Sequence, residues 1–279
     1  GRRGTGTASG RLSESASADL DGDGQEELAV LYLVTREIVP DSGNTFRHDY
    51  LELAIYDDAA TGFTLLRRLT EEDYDASMRD EKRDGFFDGD VVAAELDGTP
   101  GLEIVMIGSW GETSNTGHVG FHDYPENTVI WVFDDPDNDF ALLDTLTDTG
   151  KNTTVARIAA GDVDGDDRDE IVLAGVDRKD GTYTKAWLLD DRLAEYEQLK
   201  RWHNEREFLF EDRTGPPGVV LADVDRDGLD EPVFVAVTMG QLATVVVYDD
   251  LPHGLGEIAS RRIESGNSMT WNSSTPPMI

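Results

Sequence analysis

One acidic loop recurs four times along this chain, and no other feature constrains the fold as much. The copies are Ala18-Asp-Leu-Asp-Gly-Asp-Gly-Gln-Glu-Glu27 and Ala94-Glu-Leu-Asp-Gly-Thr-Pro-Gly-Leu-Glu103, then Gly161-Asp-Val-Asp-Gly-Asp-Asp-Arg-Asp-Glu170 and Ala222-Asp-Val-Asp-Arg-Asp-Gly-Leu-Asp-Glu231. Self-similarity at this spacing marks a repeat architecture, in which each copy is one supersecondary unit. The question is then what stands between the loops.

Strand-like runs flank each copy. Val91-Val92-Ala93 and Val219-Val220-Leu221 precede two of the loops. Apolar runs with β-branched residues in each follow all four, at 28–33, 104–107, 171–174 and 233–237. Continuous apolar runs of that length suit strands buried on both faces. A third run in every repeat closes on an aspartate pair: Asp57-Asp58, Asp134-Asp135, Asp190-Asp191 and Asp249-Asp250. Such a pair reads as a turn signal. Weaker fourth strands are expected at 63–69, 140–146, 196–202 and 257–263. Four antiparallel strands per repeat make a propeller blade. The predicted class is therefore all-β, a β-propeller of four-stranded blades at about 12–72, 88–148, 155–205 and 216–265. Residues 1–11 are expected to be a linker and 266–279 a tail. Helical EF-hands do not fit, because the flanks are β-branched and the loops are shorter than a twelve-residue frame.

The Asp-x-Asp-Gly-Asp loop between first and second strands resembles that of the integrin-type FG-GAP and VCBS repeat family, over roughly residues 12–265. The motif is clear in three repeats and decayed in the second. Family members form seven- or eight-bladed propellers, and four repeats are visible here. The resemblance leaves three arrangements open: a closed four-bladed ring, part of a larger propeller, or a ring completed by another chain.

The resemblance implies calcium in the loops. Calcium takes six to eight oxygens, and carboxylates at alternate loop positions converge on one centre. The implied ligands are Asp19, Asp21, Asp23, Glu27 and the Gln25 carbonyl in the first repeat. In the third they are Asp162, Asp164, Asp166, Glu170 and the Arg168 carbonyl. In the fourth they are Asp223, Asp225, Asp227, Glu231 and the Leu229 carbonyl. The ninth position is more often Asp in the family; Glu here either binds bidentately or loosens the site. About three sites are expected. The second loop, with Glu95, Asp97, Thr99, Glu103 and Pro100 inside it, is expected to be weak or empty.

Composition limits the partners. Net charge is −34, from 58 Asp and Glu against 24 Lys and Arg. That field repels nucleic acid and anionic membranes. No apolar run has the length of a membrane span. There is no Cys, which excludes disulfides and thiol chemistry, so another staple is needed and metal supplies it. Calcium modules with affinities of about 10⁻⁴–10⁻³ M work outside cells, which places the protein in the extracellular space or on a cell surface.

Function is expected in long loops on a rigid scaffold. Two connections between second and third strands are long, 35–49 and 109–127. The second holds Trp110, His118, Phe121, His122 and Tyr124, of which Trp110, His118, His122 and Tyr124 are the candidate ligand-binding residues. Stacking aromatics beside polar groups suit a glycan or a protein hot spot. The first holds Phe46, Arg47 and His48. Trp131 and Trp187 are expected in the core. The acidic stretches 71–75 and 84–90 are expected to be solvated charge between blades. No nucleophile elbow, phosphate loop or zinc motif is present. The expected function is a calcium-binding module that binds protein or glycan. Two alternatives stand beside it: a carbohydrate-active enzyme of polysaccharide-lyase type, and an architectural part of a larger surface protein or toxin assembly.

Overall fold

A computed structural model describes residues 8–38, 46–58, 60–74, 84–112, 127–146, 153–177, 183–203, 218–238 and 242–264. It is all-β, with four antiparallel four-stranded sheets in which every strand pairs with its sequence neighbour. The first sheet comprises β1 (Ala8–Ala18), β2 (Glu27–Ile38), β3 (Phe46–Tyr56) and β4 (Leu65–Leu69). The second comprises β5 (Asp84–Ala94), β6 (Glu103–Glu112), β7 (Asn127–Phe133) and β8 (Leu142–Leu146). The third comprises β9 (Thr153–Gly161), β10 (Glu170–Asp177), β11 (Tyr183–Leu189) and β12 (Gln198–His203). The fourth comprises β13 (Gly218–Ala222), β14 (Glu231–Thr238), β15 (Leu242–Tyr248) and β16 (Glu257–Glu264). The acidic loop joins first to second strand in each sheet, as the repeat requires.

The chain divides into two compact units, residues 1–93 with 100–156 and residues 94–99 with 157–279. In the first unit Leu31, Leu51, Leu53 and Ile55 of one sheet bury with Ile104, Met106, Trp131 and Phe133 of the other. Gly89 is pressed into this core. A Cβ there would lie 2.7 Å from the Ile107 carbonyl oxygen. A one-turn helix, α1 (Glu71–Tyr74), brings Tyr74 onto Trp131 at 4.8 Å between ring centroids. The Tyr74 hydroxyl donates to the Leu51 carbonyl at 2.6 Å.

In the second unit the core is Val163, Val172, Ala174, Leu188, Trp202, Phe234, Val246 and Tyr248. Trp202 lies 5.4 Å from Phe234 and 5.3 Å from Tyr248, in the tilted and edge geometries aromatic quadrupoles favour. Backbone bonds tie its two sheets: Asp230 N–H donates to the Asp162 carbonyl at 2.8 Å, and Leu251 N–H to that of Val163 at 3.1 Å. Trp131 and Trp187 are buried, as expected.

Several expected boundaries move. β1 begins at Ala8, inside the stretch read as linker. Residues 84–90 belong to β5 rather than to a solvated connector, and Asp90 is buried with its Oδ1 accepting from Val91 N–H. Charge density hid a strand whose hairpin pairing with the core side outweighs its composition. The connection read as 35–49 is shorter, because β2 and β3 stay paired out to Ile38 and Phe46, which places Arg47 and His48 in β3. The fourth strands of the first three sheets start about two residues late, since Phe63, Phe140 and Tyr196 adopt left-handed turn conformations instead, while that of the fourth sheet starts at Glu257 as expected.

Candidate metal centres

Three of the four loops share one hydrogen-bond scheme. In the first, Asp21 Oδ1 accepts from Asp23 N–H at 3.1 Å and Asp23 Oδ1 from Gln25 N–H at 2.9 Å. Asp19 Oδ2 reaches forward to Gly24 N–H at 2.9 Å. The third loop repeats it with Asp164 to Asp166 N–H, Asp166 to Arg168 N–H and Asp162 to Asp167 N–H. The fourth does so with Asp225 to Asp227 N–H, Asp227 to Leu229 N–H and Asp223 to Gly228 N–H. Asp21, Asp164 and Asp225 each spend one oxygen on the turn, whereas Asp162 and Asp223 spend both, accepting also from Gly165 N–H at 2.6 Å and Arg226 N–H at 2.5 Å; these bonds fix the side chains. The turn needs left-handed backbone at its fourth and sixth positions. These are Gly22 and Gly24 in the first loop, Gly165 and Asp167 in the third, and Arg226 and Gly228 in the fourth.

The ninth residue opens the following strand and turns inward. Glu27, Glu170 and Glu231 are almost fully buried. Each Oε2 accepts from the backbone N–H of the loop's second residue: Leu20 at 2.8 Å, Val163 at 2.6 Å and Val224 at 2.6 Å. Each Oε1 is buried with no donor among the described residues. A buried carboxylate oxygen without a donor is costly unless a cation meets it. Burial accordingly raises the carboxyl pKa of Glu27 and Glu231 above the ordinary range, and pushes Glu170 up to about 8, with the neighbouring aspartates adding to it. The ligand oxygens of Asp19, Asp21 and Glu27 lie within 4.8 Å of one another, as do those of Asp162, Asp164 and Glu170. These acidic clusters can hold a metal ion, and their all-oxygen donor set suits a hard cation.

The second loop keeps part of the scheme but carries Thr99 in place of the fifth-position aspartate. Glu95 Oε1 accepts from Gly98 N–H at 2.8 Å, and Asp97 Oδ1 from Thr99 N–H at 3.0 Å. The other Asp97 oxygen is paired with Arg192 at 3.1 Å.

The aspartate pairs do more than turn the chain. In every repeat the second Asp uses Oδ1 to accept an N–H three residues on: Asp58 from Thr61, Asp135 from Asn138, Asp191 from Ala194, Asp250 from His253. Its carbonyl accepts from the residue five on, Phe63, Phe140, Tyr196 or Leu255. All four aspartates are buried. In three repeats the aspartate lies against its own acidic loop. Asp58 groups with Asp23 and Glu27. Asp191 accepts from Arg168, which also pairs with Asp166. Asp250 accepts from His253 Nδ1 at 2.8 Å, and the same nitrogen lies 3.6 Å from Asp227. In the second repeat Gly101 takes that place, where a Cβ would come within 2.8 Å of Asp135. Sequence reasoning took these aspartates as turn formers alone.

Of the residues proposed for ligand binding, Trp110 sits in β6 opposite Asn127 rather than in a loop. The strand simply runs on through Gly111 and Glu112. His118, His122 and Tyr124 lie outside the described residues.

No family model matches the sequence, and no curated protein matches it. Solved structures do. The exotype rhamnogalacturonan lyase YesX superposes with a TM-score of 0.51 at 16% identity, over 87% of this chain and 46% of that one. The rhamnogalacturonan lyase YesW gives 0.51 at 17%, over 87% and 47%. The Bacillus licheniformis rhamnogalacturonan lyase PL11 gives 0.52 at 17%, over 87% and 47%. At this identity the likeness concerns the fold alone, and the chain spans less than half the length of each of these lyases. Fold and site together define an all-β protein of repeated four-stranded sheets whose inter-strand acidic loops can hold metal ions.

Proposed function

We propose that the chain is a calcium-stapled β-propeller module of FG-GAP/VCBS type, each four-stranded sheet a blade, which works outside the cell as a binding scaffold for a protein or glycan. The observation that carries the reading is a buried glutamate whose Oε1 meets no donor among the described residues, found in each of the three intact loops. Three independent loops place that oxygen on the same hydrogen-bonded frame, and a divalent cation satisfies it in each. Binding the folded state alone would stabilise it by mass action. In a chain without Cys this replaces the disulfides of other extracellular modules. The test is calorimetric calcium titration with thermal unfolding before and after EGTA. About three bound ions and a large fall in melting temperature on chelation are expected. Absence of binding would remove calcium from the reading and leave acidic turns.

A second reading has support from the three lyase neighbours: the chain is part of a carbohydrate-active protein. Its substrate would be an acidic polysaccharide, which a net charge of −34 opposes. Incubation with rhamnogalacturonan and calcium, followed by ultraviolet absorbance for unsaturated sugar ends, distinguishes the two. A sustained rise would favour the lyase.

A further inference from the structure

The three intact repeats differ at the first aspartate, where Asp162 and Asp223 accept a second loop N–H on Oδ1 and Asp19 Oδ1 is buried without a partner among the described residues, and they differ again beside the buried aspartate of the pair. In the third, the guanidinium of Arg168 stands between Asp166 of the loop and the buried Asp191 of the aspartate pair. In the fourth, the imidazole of His253 stands between Asp227 and the buried Asp250. Two unrelated residue types, one from the loop's seventh position and one from the turn after the third strand, thus deliver a nitrogen-bearing group to equivalent places, a guanidinium in one case and an imidazole in the other. In the first repeat the equivalent carboxylates, Asp23 and Asp58, have no such group between them among the described residues. They converge instead on Glu27, with ligand oxygens of all three within 4.8 Å. Glu27 is the buried residue whose Oε1 lacks a donor. The seventh position there is Gln25, exposed, with its amide turned to Asp23 at 3.4 Å.

We propose that Asp58, from the end of the third strand of the first repeat, is a further ligand to the divalent cation of the first loop, and that Arg168 and His253 take the corresponding place in the third and fourth repeats. This rests on the calcium reading above and adds a ligand from outside the loop to it. The first loop then gathers five carboxylates around its ion, Asp19, Asp21, Asp23, Glu27 and Asp58. In the third repeat a guanidinium already neutralises the fifth carboxylate, and in the fourth an imidazole is hydrogen-bonded to it. Carboxylate count sets affinity in oxygen-ligand sites, so the first site is the tightest of the three. The first loop is therefore the one that stays loaded as calcium falls.

The experiment is calcium titration by calorimetry on the full chain and three variants, with circular dichroism to check folding. Asp58→Asn keeps the Oδ1 acceptor for Thr61 N–H and removes the charge. Gln25→Arg places at the exposed seventh position the guanidinium that the third repeat carries. Arg168→Gln takes it away from the third. The wild-type chain is expected to show one site about ten-fold tighter than the rest. Asp58→Asn and Gln25→Arg should each bring that site down into the weaker class, and Arg168→Gln should move one weak site up. Three bound ions with a tight class that neither Asp58→Asn nor Gln25→Arg disturbs would overturn the role of Asp58 while leaving the calcium reading intact. No binding by the wild-type chain would overturn both.

Discussion

Glu170 accepts the backbone N–H of Val163 on Oε2 at 2.6 Å and keeps its other oxygen, Oε1, buried without a donor among the described residues. The consequence is a pH dependence with a definite sign. Without metal, burial moves the Glu170 carboxyl from 4.5 to about 8, and Asp169 beside it moves from 3.8 to about 6 for the same reason. Unfolded, both titrate near their ordinary values. Between those values and the raised ones the folded state binds more protons, so raising pH through that window removes stability. The melting temperature of chelator-treated protein should therefore fall from about pH 5 to about pH 8. Calcium needs the ionised form, so its binding near neutral pH should release protons, visible as a buffer-dependent heat. Glu170→Gln should flatten the metal-free slope. A metal-free stability that climbs through this window would show that the carboxylate is satisfied in some other way.

Arg226 occupies the loop's fourth position at φ 74°, where the first and third loops have Gly22 and Gly165. An L-residue in the left-handed region costs about 1–2 kcal/mol. No hydrogen bond or ion pair of the Arg226 side chain offsets it among the described residues. Arg226→Gly should therefore raise stability by up to about 1 kcal/mol, after the extra chain entropy of glycine is deducted. Gly228→Ala, at φ 99° in the same loop, should lower it by a similar amount. Urea midpoints with an unchanged m-value measure both.

Much of this architecture is legible in the residues, and the illegible parts have a common cause. The acidic loops, the apolar second strands and the aspartate pairs announce themselves because each is local: a turn needs its glycine, and a buried strand needs its β-branched run. What local pattern cannot show is which distant groups meet. Asp58 and Asp23 are 35 residues apart, and only the return of β3 beside β2 brings them together. A hint was present all the same. Two aspartates at the end of all four third strands exceed what a turn requires, and the second one is buried every time. The error at Trp110 is of the opposite kind. A Gly-rich polar stretch reads as loop, yet cross-strand pairing with β7 reaches into its start, to Trp110 opposite Asn127. Strand ladders draw on the backbone, so side-chain composition understates their length.

Gly161, the residue before the third loop's first ligand, lies where the two sheets of the second unit are sewn together. A Cβ on it would meet Asp230 Oδ2 at 2.2 Å and Leu221 Cβ at 2.9 Å. The clash cannot be relieved cheaply, since Asp230 N–H is held by the Asp162 carbonyl. Gly161→Ala should cost about 1–3 kcal/mol and weaken calcium binding at the third loop more than at the first. Denaturation in EGTA separates the packing loss from the loss of metal.

Trp202 tests the core of the second unit. It is buried between Phe234 and Tyr248, and its indole Nε1 has no acceptor among the described residues. Two opposing terms follow. Truncation to alanine empties a large apolar volume and should cost about 3–5 kcal/mol. Replacement by phenylalanine loses some of that volume but also removes a buried N–H that is unsatisfied, a defect worth about 1–3 kcal/mol. Trp202→Phe should therefore fall within about 1 kcal/mol of the parent. Equilibrium unfolding of the two variants decides it. A loss for Trp202→Phe close to that for Trp202→Ala would mean that shape fit against Phe234 and Tyr248, not buried area, fixes the stability of this unit.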